Sequence, residues 1–343
     1  MLVSEFDYQL PEELIAQQPL AERQASRMLT VDRGRGFFRD SEFRDFPAQL
    51  RKGDVLVLNN TKVFPARLNG QLETGAAIEL FLIEETSEMH WTTLARPGRR
   101  LKPGKHIHFG DQLSAEVLEK LADGRVLVKF TARLPFDDVL DRAGQTPLPP
   151  YIRRGETSID ADRERYQTVY AAERGAIAAP TAGLHFTPEI LENIREHGVK
   201  ILEITLHIGY GTFEPVRVDD LADHSVSTER FEISEPVAAE LNAAAADRRR
   251  IVAVGTTTTR ALETSASRHG RFASERSLAD LTILPGYKFK AVGALLTNFH
   301  LPKSSLLVLV STFGGHELIM DAYRHAVASA YRFYSYGDCM FIS

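Results

Sequence analysis

The alternation of hydrophobic and polar positions changes its period at about residue 150. From about residue 66 to that point, short apolar runs such as AIELFLIE and RVLVKFT are separated by Gly and Pro, as in β-strands joined by turns. Beyond it, apolar runs such as KILEITLHI and RIVAVG alternate with helical segments such as PEILENIREHG. Buried strands that alternate with helices predict a layered α/β domain.

The first 65 residues are assigned to the α/β half. A helical piece is expected over residues 11–18, and the apolar strand DVLVLNN follows it. The β-rich stretch ends in TPLPPYIRR, a proline-rich segment suited to a domain boundary. At 343 residues the chain is long enough for two domains. The prediction is therefore an α/β fold: a layered main domain with a mixed sheet from residues 1–65 and 151–343, plus an inserted small β-barrel domain over residues 66–150.

Composition and charge narrow the class of protein. Cys339 is the only cysteine, which excludes an internal disulfide and a Cys-rich zinc or iron–sulfur site. The sequence shows no secretory signal and no apolar run of membrane length, so a cytoplasmic protein is expected. A net charge of −5 argues against nonspecific coating of nucleic acid.

One segment is nevertheless basic. From Trp91 to Gly110 the chain carries five cations and no acid; the cations are Arg96, Arg99, Arg100, Lys102 and Lys105. Two interpretations stay open, a solvated β-hairpin and a surface that contacts the phosphate backbone of a nucleic acid.

Familiar nucleotide and metal signatures are absent, and no metal site is predicted. What remains are five segments rich in glycine and small polar residues at strand ends: AAPTAGLHFT, TLHIGYGTF, VGTTTTR, LLTNFHLPKSS and YSYGD. Glycine lets backbone N–H groups approach a ligand, while Thr and Asn supply neutral donors and acceptors. Because ligands bind beyond the carboxyl ends of strands in α/β domains, five such segments together predict a binding site.

These segments resemble, in their order, the S-adenosylmethionine:tRNA ribosyltransferase-isomerase family along essentially the whole chain. FDYQLPEELIAQQPLAERQASRML, VLNNTKVFPARL, PLPPYIRR, AVGTTTTRALE and YRFYSYGDCMFI carry the resemblance with the segments above. It implies an α/β domain with an inserted β-barrel. It also implies transfer and isomerisation of the ribosyl unit of S-adenosylmethionine onto 7-aminomethyl-7-deazaguanine at the tRNA wobble position, giving epoxyqueuosine with release of adenine and methionine. S-adenosylmethionine is then a co-substrate, with no prosthetic group, and a monomer is expected.

The sequence departs from the family pattern at two places. Ser227 replaces the second histidine of a motif in which His224 and Glu229 match, and Gly293 stands where the family often has Asp. Neither position is assigned a role in proton transfer.

The implied reaction needs a base, because a sulfonium makes the neighbouring 5′ carbon of the ribose acidic. Histidine suits proton transfer near pH 7. The catalytic candidates are His185, His207, His300 and Asp338, and the last of these can orient a histidine or bind ribose hydroxyls. For each, a purely structural hydrogen-bonding role is the alternative.

The substrate-binding candidates come from the same segments. They are Asn60, Thr181, Gly183, Gly209, Gly211, Thr212, Thr256, Arg260, Asn298, Lys303 and Tyr336. Arg260 can bind the methionine carboxylate; the alternatives are a helix N-cap for the threonines, a surface arginine and an exposed Lys303. Two other functions also compete: an S-adenosylmethionine-dependent RNA methyltransferase, which would release S-adenosylhomocysteine, and a non-catalytic RNA-binding module.

Overall fold

The computed structural model describes residues 1–154, 159–213 and 216–343, without the side chains of residues 159, 160, 212 and 213. Its strands, in chain order, are β1 (Arg27–Asp32), β2 (Phe37–Glu42), β3 (Val55–Asn59), β4 (Thr61–Val63), β5 (Arg67–Leu72), β6 (Ala77–Ser87), β7 (His90–Arg96), β8 (His106–His108), β9 (Leu113–Lys120), β10 (Val126–Ala132), β11 (Gly144–Gln145), β12 (Glu173–Ala176), β13 (Lys200–His207), β14 (Glu229–Ile233), β15 (Ile251–Val254), β16 (Glu275–Ala279), β17 (Ala294–Asn298) and β18 (Cys339–Ile342). The α-helices are α1 (Phe136–Ala143), α2 (Ile159–Arg165), α3 (Pro188–Glu196), α4 (Glu235–Ala246), α5 (Thr256–His269), α6 (Ser305–Gly314) and α7 (His316–Ala328).

The larger sheet has nine strands in the order β16-β14-β13-β3-β15-β17-β18-β1-β2. Its centre, β13-β3-β15-β17, is parallel. Alternate residues of β3 enter two hydrophobic cores: Val55 and Val57 lie in the core to which α4–α7 contribute, and Leu56 and Leu58 pack with residues of α3. Strands β3, β15 and β17 are buried at every position, because both faces of the sheet are covered there.

The second sheet is a closed barrel. Strands β5-β6-β7-β10-β9-β8 pair antiparallel in that order, and β8 pairs back to β5. Alternate residues point inward, as Ile78, Leu80 and Leu82 do on β6. The mixed α/β sheet and the closed barrel confirm the predicted fold class. The larger sheet takes its strands from residues 27–59 and 200–342, and the barrel takes its six from residues 67–132.

The helix expected over residues 11–18 was wrong, because that segment forms only a 3₁₀ turn over Glu12–Leu14. Its backbone bonds instead to the C-terminal region: the Phe333 N–H donates to Leu14 O at 2.8 Å, and the Ala16 N–H donates to Phe333 O at 3.1 Å. Tertiary backbone pairing therefore replaces the local helix. No described helix is long and apolar enough to span a bilayer.

Candidate active site

The four parallel central strands bring sequence-distant polar segments to one edge of the sheet. β13 ends at His207, β3 leads into Asn60, β15 leads into Thr256 and β17 ends at Asn298. Three strand spacings of about 4.8 Å place the outer two strands roughly 14 Å apart. His207 and His300 therefore lie at opposite ends of this edge, too far apart to contact each other.

A cleft follows this edge, and we call it the sheet-edge cleft. It consists of two cavities that share Thr256, Thr257 and Leu306. The smaller cavity includes Tyr151, Tyr166, Thr181, Asn298, His300 and Tyr334 among its lining residues. The larger cavity, of about 330 Å³, includes Gly211, Arg217, His224, Ser227 and Arg260.

The start of α5 determines which threonines face the cleft. Gly255 adopts a φ of 93°, which favours glycine, and turns the chain from β15 into the helix. Thr256 and Thr257 line the cleft. The hydroxyls of Thr258 and Thr259 instead donate back to the carbonyls four residues earlier, at 2.7 Å and 3.1 Å. The Thr run thus divides into two residues that line the cleft and two whose hydroxyls bond to the preceding turn.

His300 lies at the floor of the smaller cavity. Its Nε2 is 2.9 Å from Thr297 Oγ1, and its backbone N–H donates to the Tyr323 hydroxyl at 3.0 Å. Burial lowers the pKa of His300 to about 3, so the ring is neutral at pH 7. A neutral ring can donate or accept one hydrogen bond but supplies no cationic acid.

His185 lies between Ser26 and Asn298. Its Nδ1 is 2.9 Å from Ser26 Oγ, and its ring packs 5.3 Å from the Phe43 ring. Burial lowers its pKa to about 4, while contact with Asn298 opposes that shift. Among the described residues, neither His185 Nε2 nor Asn298 Oδ1 completes a hydrogen bond. The two side chains are in contact, and Asn298, which also lines the smaller cavity, can offer its Oδ1 to His185 or to a ligand in the cleft.

His207 faces a different opening, the barrel cleft, which lies between the barrel and the larger sheet and measures about 890 Å³. Its Nδ1 is 2.8 Å from Thr61 Oγ1. The ring is half-buried, and burial lowers its pKa. Gly175 lies against the ring, where a Cβ would come within 2.7 Å of it. Gly209, Gly211 and the Ser227–Glu229 segment line the barrel cleft too.

Several predicted site residues do not line the sheet-edge cleft. The buried Asp338 carboxylate accepts the Arg27 and Arg332 N–H groups at 2.9 Å and 2.8 Å, and burial raises its pKa. The carboxylate contacts no histidine within the described structure. His185 lines a separate small recess instead. Three more predicted residues bond elsewhere: Lys303 to Asp7, Tyr336 to Asp162, and Asn60 to Glu203 and Thr205.

The structure gives no ligand contact for Gly183 or Thr212, and it places Gly293 away from the candidate site. Gly183 lies beneath the Tyr170 hydroxyl, only 2.1 Å from where a Cβ would stand, so its role here is close packing. The side chain of Thr212 lies outside the described residues. Gly293 precedes β17 at the end opposite Asn298, where its carbonyl accepts from Arg33 at 2.9 Å.

Arg260 lines the larger cavity, but its guanidinium already has several protein partners. It pairs with Glu229 at 2.6 Å and donates to the carbonyls of Ser227 and Ala279 at 3.0 Å and 2.9 Å. Both side chains of the ion pair are less than a tenth exposed. This geometry makes Arg260 a structural anchor, and a bond to a substrate carboxylate stays a prediction.

Sequence reasoning did not list several residues that line the sheet-edge cleft. They are Tyr151, Tyr166, Tyr334, Arg217 and His224. Most of these residues belong to segments already singled out in the sequence, namely PLPPYIRR, YSYGD and the His224 motif. A domain-boundary segment, however, gives no reason to expect Tyr151 in a cleft.

The five cations of the Trp91 to Gly110 segment, which we call the barrel cations, are all exposed. No group of three or more His, Cys, Asp or Glu side chains suited to a metal occurs within the described ranges.

The free energy of unfolding should depend on pH through the buried histidines, His185 in particular. The folded pKa of His185, about 4, lies below the ordinary 6.5, so the unfolded chain binds more protons between these values. The stabilisation is present above pH 6.5 and is lost as pH falls toward 4, by about 3 kcal/mol for His185. Urea unfolding from pH 7 to 4.5 should give a shallower pH dependence for His185→Gln than for the unsubstituted protein. Parallel curves would contradict the prediction.

Comparison with known proteins tests the family prediction. A family model described as a queuosine biosynthesis protein matches residues 3–342. Curated S-adenosylmethionine:tRNA ribosyltransferase-isomerases from Symbiobacterium thermophilum and Trichlorobacter lovleyi are 50% and 48% identical, each over 100% of both chains. The crystal structure of S-adenosylmethionine tRNA ribosyltransferase from Thermotoga maritima is 37% identical, with 99% of this chain and 100% of that chain covered and a TM-score of 0.56. The prediction is confirmed, and the chain belongs to the S-adenosylmethionine:tRNA ribosyltransferase-isomerase family of queuosine biosynthesis.

Proposed function

We propose that this chain transfers and isomerises the ribosyl moiety of S-adenosylmethionine onto 7-aminomethyl-7-deazaguanine in the tRNA wobble position. Epoxyqueuosine in tRNA forms, and adenine and methionine leave. The observation that carries the proposal is the sheet-edge cleft, where neutral donors and acceptors at the ends of the parallel strands β15 and β17, Thr256, Thr257 and Asn298, converge. Family membership supplies the reaction, and the S-adenosylmethionine-dependent methyltransferase alternative is not favoured by it.

S-adenosylmethionine fits the sheet-edge cleft by size and chemistry. Aromatic rings of Tyr151, Tyr166 and Tyr334 at one end suit a planar base, for which Asn298 offers a hydrogen-bond acceptor. Thr256 and Thr257, which both cavities share, suit the ribose hydroxyls. The larger cavity, with Arg217 at its wall, takes the methionine part.

The modified base of tRNA is proposed to enter through the barrel cleft. The two clefts share Gly211, Ser227 and Glu229 in their walls, so reactants held in them meet there. Glu85 in the barrel cleft suits the cationic aminomethyl group of the base, whereas Glu84 beside it already pairs with Arg230. The large volume of this cleft accommodates a nucleotide turned out of its stack.

His207 is proposed as the base for the ribose 5′ carbon. With Nδ1–H donating to Thr61 Oγ1, Nε2 carries the lone pair that accepts the proton. A half-buried ring with a lowered pKa is unprotonated at pH 7, as a base must be. The neutral, fully buried rings of His185 and His300 are proposed to hold the substrate and the cleft wall.

The test of the function is product analysis. Purified protein, S-adenosylmethionine and tRNA bearing the aminomethyl deazaguanine should release adenine and methionine in equal amounts, without added metal. Release of S-adenosylhomocysteine without adenine would instead identify a methyltransferase. Activity lost on chelation and restored by zinc or iron would contradict the metal-free prediction.

The domain division stays a proposal, with residues 66–150 as a unit inserted between residues 1–65 and 151–343. The closed barrel over residues 67–132 supports it, because closure satisfies the strand edges within the segment itself. A cytoplasmic, monomeric enzyme is the accompanying prediction. Sedimentation of the purified chain with and without tRNA would test the oligomeric state.

The barrel cations are proposed to bind the anticodon arm of tRNA. All five are exposed, and Arg99 and Arg100 lie on the 3₁₀ turn Gly98–Arg100 that follows β7. Arg99→Ala with Arg100→Ala should raise the KM for tRNA several-fold and reduce its salt dependence by about one phosphate contact per cation. The KM for S-adenosylmethionine should barely change. An unchanged salt slope would make this segment only a solvated hairpin.

A further inference from the structure

A second cationic cluster lies on the larger sheet's side of the molecule, and we name it the arginine recess. Arg23 and Arg165 line a small recess together with Ser26, His185 and Ser335, and Arg332 lies beside it. Ser335 also lines the sheet-edge cleft, so the recess lies directly behind the candidate active site.

The three guanidinium groups bond to backbone carbonyls rather than to acids. Arg23 donates to the carbonyls of Leu184 and Glu164 at 3.0 Å and 3.2 Å, and Arg165 donates to those of Ala21 and Leu20 at 3.0 Å and 2.6 Å. Arg332 donates to the carbonyl of Gln18. In the described part of the chain, none of the three has a carboxylate within 4.0 Å of its side chain.

This pattern differs from that of other half-buried arginines in the molecule. Arg154 and Arg250 pair with Asp162 and Asp54 at 2.7 Å and 2.5 Å. In the recess, burial and then the charge of Arg165 lower the pKa of Arg23, and both Arg23 and Arg332 help to lower that of His185. Glu164 and Asp338 oppose these effects, but Asp338 is held by Arg27 and by two backbone amides. Among the described side chains, the three guanidinium groups therefore outnumber the two acids near them, and neither acid forms an ion pair with any of the three.

We propose that the arginine recess binds a backbone phosphate of the tRNA substrate and so positions the wobble nucleotide at the active site, an inference that rests on the proposed function. Carbonyl bonds fix the guanidinium groups before an anion arrives, which lowers the ordering cost of binding it. Arginine forks match the geometry of phosphate oxygens. The recess itself, about 20 Å³, admits a single oxygen atom of a phosphate rather than a whole group.

A neutral substitution on the same helix gives a matched control. Arg163 also belongs to α2, but it is exposed and contacts Asp141 at 3.4 Å. Arg163→Gln therefore removes the same charge outside the recess. Arg23→Gln and Arg165→Gln retain an amide donor for the carbonyl bonds, and thermal unfolding would establish that each variant is folded. Arg165→Lys restores the charge without the fork.

The experiment is filter binding of the modified tRNA at several salt concentrations, together with the KM for S-adenosylmethionine. Arg23→Gln and Arg165→Gln should each raise the Kd for tRNA about tenfold and reduce the slope of log K against log salt by about one. Arg163→Gln should change the Kd less than about twofold, and Arg165→Lys should recover the slope.

Three outcomes would overturn the assignment or separate it from the function. A raised KM for S-adenosylmethionine with unchanged tRNA binding would assign the recess to the methionine carboxylate. Unchanged values of both, in folded variants of an active enzyme, would make the arginines purely structural. If the unsubstituted protein binds tRNA with the predicted salt slope but releases no adenine, the proposed function fails while the phosphate site stands.

Discussion

Replacement of His207 by glutamine is expected to lower kcat by about 10²- to 10⁴-fold, the usual contribution of a positioned general base. Glutamine retains a hydrogen-bonding group near Thr61 but has no titratable nitrogen. The KM values for both substrates should change little, because the ring acts on a proton rather than on binding. Single-turnover release of adenine measures the effect directly.

Two further variants test how His207 acts. Thr61→Val removes the hydroxyl 2.8 Å from Nδ1 and should lower kcat by about tenfold, the effect of a misoriented base. His197→Gln removes an exposed imidazole and should leave the rate unchanged. Because burial lowers the pKa of His207, the acid limb of the rate profile should lie below pH 6.5 and disappear in His207→Gln. If His207→Gln kept a kcat within about threefold of that of the unsubstituted enzyme, His207 would be excluded as the base.

The two sheets could be predicted from the sequence because their hydrophobic residues recur with different spacing along the strands. Inward residues alternate along β6 of the barrel, whereas β3 and β15 are buried at every position between two layers of helices. Local pattern alone identifies such strands. The segment over residues 11–18 was misassigned because its backbone pairs with Phe333, more than three hundred positions away in the chain. Local periodicity carries no information about a partner at that distance.

The candidate site was predictable as a set of strand ends but not as a set of roles. His185 and His207 are oriented by Ser26 and Thr61, which lie 159 and 146 positions away. For Asp338 the motif left open a contact with a histidine, a contact with ribose hydroxyls and a structural role, and its carboxylate accepts hydrogen bonds from two backbone amides. Which polar groups a side chain meets depends on tertiary contacts, so motif membership cannot separate a ligand contact from an anchor.

Arg260 is a second residue whose motif suggested a ligand contact but whose tertiary contacts indicate a structural anchor. Its replacement by methionine is expected to lower the free energy of unfolding by about 3–5 kcal/mol, the cost of breaking a buried ion pair. Glu229, 3% exposed, would then lose the Arg260 guanidinium while staying buried. Arg268→Met on the same helix is the matched control, because its bridge to Asp280 is exposed and is worth about 1 kcal/mol or less. Urea unfolding at pH 7 measures both. A loss for Arg260→Met no larger than the control's, accompanied by a large rise in the KM for S-adenosylmethionine, would instead support the carboxylate-binding role that its sequence motif suggests.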